Sequence, residues 1–138
     1  MALRTETRAR ARALQLLYAW ELQGGPPMPS VASGLFRLTG PEPLILDRAE
    51  ELARGVVADV GALDAQAAQA SENWRMSRIA VVERNILRLA MAELDEGATP
   101  PRVVLDEAVK LAHWFGGGKS PAFVNGVLDT IARELGRL

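Results

Sequence analysis

Apolar positions recur at helical spacing along almost the whole chain. From residue 4 to 22, Ala9, Ala13, Leu14, Leu16, Leu17 and Trp20 fall on one broad face at ~100° per residue. Gly24-Gly25-Pro26-Pro27 ends that helix. Between this break and a second, Gly40-Pro41-Glu42-Pro43, the spacing supports one short helix, Ser30 to Leu38. Leu44 to Val60 carries Leu46, Ala49, Leu52, Ala53, Val56 and Val57 on a common face. Gly61 loosens the chain before an alanine-rich helix from Leu63 to Trp74, and Ser77 is placed to cap the next one. Ile79 to Glu93 is apolar on nearly every side, the mark of a helix at the centre of a bundle.

Gly97-Ala98-Thr99-Pro100-Pro101 breaks that helix. Thr99 is expected to cap its successor, with Pro100 at the tolerated first helical position. Val103 to Phe115 follows and ends at Gly116-Gly117-Gly118. Ser120 is expected to cap a last helix, with Pro121 at its first position, running to about Gly136. No alternating run of β-branched residues is bounded by hairpin turns. The expected fold is all-α, with six to seven helices in one bundle or two small sub-bundles, and 1–138 is read as a single domain.

Composition narrows the chemistry. An apolar share of 49% over 138 residues is enough for a core without staples. With no cysteine, disulfides, thiolate zinc sites and a Cys nucleophile are excluded, and a reducing cytoplasm is the natural setting. His113 is the lone histidine, so a multi-histidine metal site is excluded too. No apolar run approaches the ~18 residues of a membrane span, and the first residues lack the apolar stretch of a signal peptide. The net charge is only −1, yet Arg4, Arg8, Arg10 and Arg12 crowd the start against a single acid, Glu6. A local cationic patch on a near-neutral chain suits a limited, specific anionic contact.

Arg4, Arg8 and Arg12 are spaced by four and line one side of the first helix, with Gln15 in that sector and Tyr18 at its edge. Guanidiniums pair phosphates, an amide reads a base edge and a ring stacks a base, so this strip fits single-stranded RNA. A solvated amphipathic face would look the same. Arg10 points away from the stripe, towards Glu6 one turn earlier. Gly116-Gly117-Gly118-Lys119-Ser120 imitates a phosphate loop, but His113 stands where the leading glycine is required, and the loop follows a helix, so a nucleotide-hydrolysing site is excluded. The same turn launches a helix whose free N–H groups favour anions; it is equally a plain connection. In Phe123 to Asp129, Gly126 suggests close helix approach, and Asn125 a buried polar staple. Glu83, Arg84 and Arg88 form a charged stripe on the apolar central helix, either surface pairs or a protein-docking face. His113 belongs to a helix surface or core edge. No catalytic constellation, metal site or cofactor is expected.

Three segments carry a resemblance. They are Arg8 to Trp20, with arginines leading into Tyr18-Ala19-Trp20; Trp74-Arg75-Met76 through Arg84-Asn85-Ile86-Leu87-Arg88-Leu89-Ala90 to Glu93-Leu94; and Asp106-Glu107-Ala108-Val109-Lys110-Leu111-Ala112, Phe115-Gly116 and Phe123-Val124-Asn125-Gly126-Val127-Leu128-Asp129. In order and at this spacing, the chain resembles the NusB family of bacterial transcription antitermination factors. The resemblance implies two packed three-helix sub-bundles and no enzymatic activity. It implies binding of single-stranded boxA-type RNA with a small ribosomal protein, NusE, on the RNA polymerase elongation complex transcribing ribosomal RNA operons. Some family members resemble homodimers, which would mask the basic face.

The family's RNA contacts carry over to Arg4, Arg8, Arg10, Arg12, Gln15, Tyr18, Lys119 and Ser120, and its partner surface to Glu83, Arg84 and Arg88. The chain departs from the family at Gly118-Lys119, where an acidic or polar residue is common, and in its Gly/Pro-rich 24–43 segment, where the family has a full helix. Two alternatives remain. One is the RNA-binding N-terminal domain of a ribosomal RNA cytosine methyltransferase, which needs a catalytic domain beyond Leu138. The other is a helical adaptor that binds only proteins.

Overall fold

The computed structural model describes residues 4–138, which form two compact units, the first ending at Ala58 and the second spanning Asp59–Leu138. Helices α1 (Thr5–Leu22), α2 (Met28–Thr39) and α3 (Pro43–Ala58) make the first. Its core is mainly the contact of α1 with α3. Ala9, Ala13, Leu14, Leu16 and Leu17 meet Ile45, Leu46, Ala49, Leu52, Ala53 and Val56, all buried, as the spacing predicts. Arg4 stays extended as the residue before α1, and Glu6 places an acid in the first turn, where the helix dipole favours it. Gly24 and Gly25 take φ of +84° and +82°, and the Gly25 N–H closes on the Trp20 carbonyl at 2.9 Å.

The region 24–43 holds a full helix rather than a short one. Pro29 lies in the first turn of α2, where no intrahelical donor is lost, so it starts the helix instead of breaking it. Met28, Val31 and Ala32 turn into the core, and Gly40 at φ +78° ends the helix.

The second unit has α4 (Val60–Ala70), two short 3-10 turns (Glu72–Trp74 and Met76–Arg78), α5 (Val81–Glu96), α6 (Pro101–Phe115) and α7 (Ser120–Glu134). It thus carries four α-helices where a three-helix sub-bundle was implied. Helix α5 is central, packing on α4, α6 and α7, and it buries Ile86, Leu87, Leu89, Ala90, Met91 and Leu94.

Several expected boundaries shift. Ser71 turns the chain extended and accepts from the Asn73 N–H at 3.2 Å, so α4 stops at Ala70 and Trp74 belongs to a separate turn. Ser77 lies inside the second 3-10 turn, and Ala80 precedes α5. Pro100, not Thr99, precedes α6, because the second proline of the pair takes the donor-free first position. Asn125 is exposed rather than buried, and a Cβ on exposed Gly126 would meet nothing within 4 Å, so neither serves close packing.

Candidate nucleic-acid interface

On α1 the 3.6-residue period separates two sets of arginines. Arg10 is 5% exposed and held by contacts inside the protein. This removes it from the surface strip expected to meet RNA, because it falls on the core side of the helix. Arg4 and Arg8 are exposed and Arg12 is half-buried. The Arg12 Nη1 donates to Gln15 Oε1 at 2.9 Å, so the cation and the amide of the strip are joined and oriented together. Tyr18 follows, 41% exposed. The acids nearby are engaged. Glu6 accepts from Arg48 Nε through both oxygens at 3.1 and 3.2 Å, and Glu42 pairs with Arg8. The Arg8 side chain remains 45% exposed in that pair. A surface pair of this kind contributes about 0–1 kcal/mol, so a phosphate can compete for Arg8.

In the second unit, the loop between α6 and α7 is tightly tied. The Gly116 N–H closes on the Ala112 carbonyl at 2.9 Å. A Cβ at Gly116 would lie 2.5 Å from Ser120 Cβ and 2.8 Å from the Ala112 oxygen, so glycine is required there by space. Ser120 is buried and does not cap α7. Its hydroxyl accepts from the Gly117 N–H at 3.0 Å and donates to Glu83 Oε2 at 3.0 Å. That removes the hydroxyl from the expected RNA contacts. Lys119 is exposed, with no ion-pair partner among the described residues. The Gly-Lys-Ser run sits between two α-helices, as a nucleotide loop does not.

The expected docking trio is largely consumed by the fold. Arg88 is 7% exposed and grips Asp64 of α4 bidentately, at 2.8 and 2.7 Å, while its Nη1 donates to Asn85 Oδ1 at 3.1 Å. Asn85 in turn donates to the Val81 carbonyl at 2.9 Å. Arg84 donates to the carbonyls of Met76 and Ile79 at 3.3 and 3.0 Å, pinning the turn that precedes α5. Burial, and then the neighbouring charge of Arg88, push the Arg84 guanidinium below the ordinary arginine pKa. Glu83, bonded to Ser120, and Arg84 are both half-buried, so each keeps part of its surface while Arg88 does not.

Asp64 was missed because its contact with Arg88 joins residues 24 apart, whereas Asn85, three residues before Arg88, lay within reach of helical spacing. The available signal was an arginine inside an apolar helix, which requires a buried acceptor somewhere. Exposed His113 takes the helix-surface place expected of it. No group of three or more His, Cys, Asp or Glu among the described residues could hold a metal ion, and no helix is long and apolar enough to cross a membrane.

The class is thus all-helical: seven α-helices and no strand among the described residues, with the exposed cations on a helix face and before a helix start. The NusB family model matches residues 7–133, and the chain belongs to the NusB family. It is 47% identical to the transcription antitermination protein NusB of Sorangium cellulosum, over 94% of this chain and 92% of that one. Its fold superposes on T. maritima NusB with a TM-score of 0.81 at 31% identity, covering 97% of this chain and 94% of the other. A crystal structure of the antitermination factors NusB and NusE in complex with double-stranded RNA gives 0.79 at 28% identity, covering 96% of this chain and 99% of the other.

Proposed function

We propose that this chain is a non-catalytic, cytoplasmic antitermination factor that binds boxA-type single-stranded RNA with NusE and promotes processive transcription of ribosomal RNA operons by the RNA polymerase elongation complex. The observation that carries this is the joined Arg12–Gln15 pair on an α1 surface that also offers Arg4, Arg8 and Tyr18. Lys119 adds a second cationic contact and Glu83 the remaining docking carboxylate, with 1–138 acting as one RNA-binding domain. The complex of NusB and NusE with double-stranded RNA supports NusE and RNA as partners. The Sorangium protein, 92% of it spanned by this chain, supports a factor over the leading domain of a methyltransferase.

The test is a titration with boxA-type and scrambled single strands at several salt concentrations, with and without NusE. The boxA strand should bind more tightly, more so with NusE. Each phosphate contact removed should flatten the slope of log K against log salt by ~0.7. Equal failure to bind either strand would leave a protein-only adaptor. A homodimer that covers α1 would show as RNA affinity that falls with rising protein concentration.

A further inference from the structure

Helix α6 ends on two aromatics that the core does not absorb: Trp114 is 47% exposed and Phe115 38%. The buried stripe of α6 is Val104, Leu105, Ala108, Leu111 and Ala112. At ~100° per residue, Trp114 projects about 120° from the middle of that stripe. A lone exposed apolar side chain needs no explanation; the surroundings of this one do. From Ala108 to Leu128 the chain has no Asp or Glu, while it has Lys110, His113 and Lys119. Lys110 is tied to Glu107 at 2.8 Å, but Lys119 is exposed with no ion-pair partner among the described residues. Glu83 is the carboxylate that does reach this loop, and Ser120 already donates to it.

The stretch of chain from Trp114 to Lys119 is short and its turn is held. Five Cα steps of 3.8 Å place Lys119 within about 19 Å of Trp114 at most. Hydrogen bonds from Gly116 to Ala112, from Ser120 to Gly117 and from Gly117 to the Ser120 hydroxyl hold the turn between them.

We propose that Trp114 is a base-stacking platform for single-stranded RNA, with Lys119 holding a phosphate of the same strand. This rests on the RNA-binding reading above and extends it to a residue outside the expected contacts. An exposed flat ring five residues from a cation with no ion-pair partner among the described residues suits a single strand, because every base has a π-face and every nucleotide a phosphate. A protein partner is less well matched. Val103, the exposed large apolar residue of α6 besides Trp114 and Phe115, lies eleven residues and about 16 Å up the helix from Trp114. Lys110 intervenes on that face, so no apolar stripe runs the length of α6 between Val103 and Trp114.

The experiment titrates wild type, Trp114→Ala, Trp114→Phe, Lys119→Ala and Arg12→Ala with a boxA-type single strand, following tryptophan fluorescence and affinity across salt. Circular dichroism confirms that each variant is folded. RNA should quench wild-type fluorescence, and the quench should shrink in Trp114→Ala. That variant should bind roughly 5- to 150-fold more weakly with an unchanged salt slope, and Trp114→Phe should recover most of the affinity. Lys119→Ala should flatten the slope by ~0.7. Full affinity in Trp114→Ala alongside weakened binding in Arg12→Ala overturns the platform and leaves the RNA reading standing. No RNA binding by wild type overturns both. Loss of NusE binding alone in Trp114→Ala overturns the platform in favour of a protein contact.

Discussion

Helices α1 and α5 both carry arginines beside a strongly apolar stripe, and the fold uses them in opposite ways. Just before α1 and along it, Arg4, Arg8 and Arg12 keep at least part of their surface outward. On α5, Arg88 is buried against Asp64 and Arg84 is spent on two backbone carbonyls. The difference lies in what surrounds each helix. A central helix has neighbours on every side, so a cation there must find fixed acceptors or stay out of the core. A helix with one open side can leave its cations to solvent, and so to a ligand. An arginine row therefore reads as a binding surface only where one side of its helix is unpacked.

Four substitutions sharpen that contrast, in falling order of effect on stability. Arg88→Ala should be the most damaging, at about 3 kcal/mol, the lower end for a broken buried pair because Asp64 keeps 31% of its side-chain surface. Urea denaturation would show it, and an effect under about 1 kcal/mol would mean that Asp64 relaxes into water. Gly116→Ala comes next: the added methyl must displace Ser120 or the Ala112 carbonyl, at about 1–3 kcal/mol, measured as a lowered Tm. Arg12→Ala should change stability by no more than about 0.5 kcal/mol. Its expected signature is in RNA binding, a salt slope flatter by ~0.7, and an unchanged slope would remove Arg12 from the interface. Arg8→Ala should be the mildest of the four for stability, with close to nothing lost in its exposed pair with Glu42, checked by a double-mutant cycle with Glu42→Ala.

Much of the architecture is legible from spacing alone. The buried faces of α1 and α3 follow the 3.6-residue period, and α5 declares its central place by being apolar nearly all round. Helix starts are harder to read. The spacing starts the second helix at Ser30, although Pro29 already sits in the first turn of α2, and the Pro100–Pro101 pair starts α6 one residue later than Thr99 suggests. The site is legible where it depends on one helix: Arg4, Arg8, Arg12, Gln15 and Tyr18 are set by periodicity, which also separates Arg10 from them. It is illegible where it depends on contacts between helices. Neither Asp64 opposite Arg88 nor Glu83 opposite Ser120 can be found by counting along the chain, because these partners lie 24 and 37 residues apart. Asn125 and Ser120 exchange their expected burial for the same reason: which side of α7 faces the core depends on α5 and α6.

The bidentate grip of Arg88 on Asp64 has a consequence for α4. That helix buries only Leu63 and Ala67, so shape gives it little purchase on the rest of its unit. Its anchorage is electrostatic to an extent that α6 and α7 do not share. Under native conditions its amide protons should exchange with solvent ahead of those of α5, and loosening this one tether should let α4 fray while the other three helices remain closed.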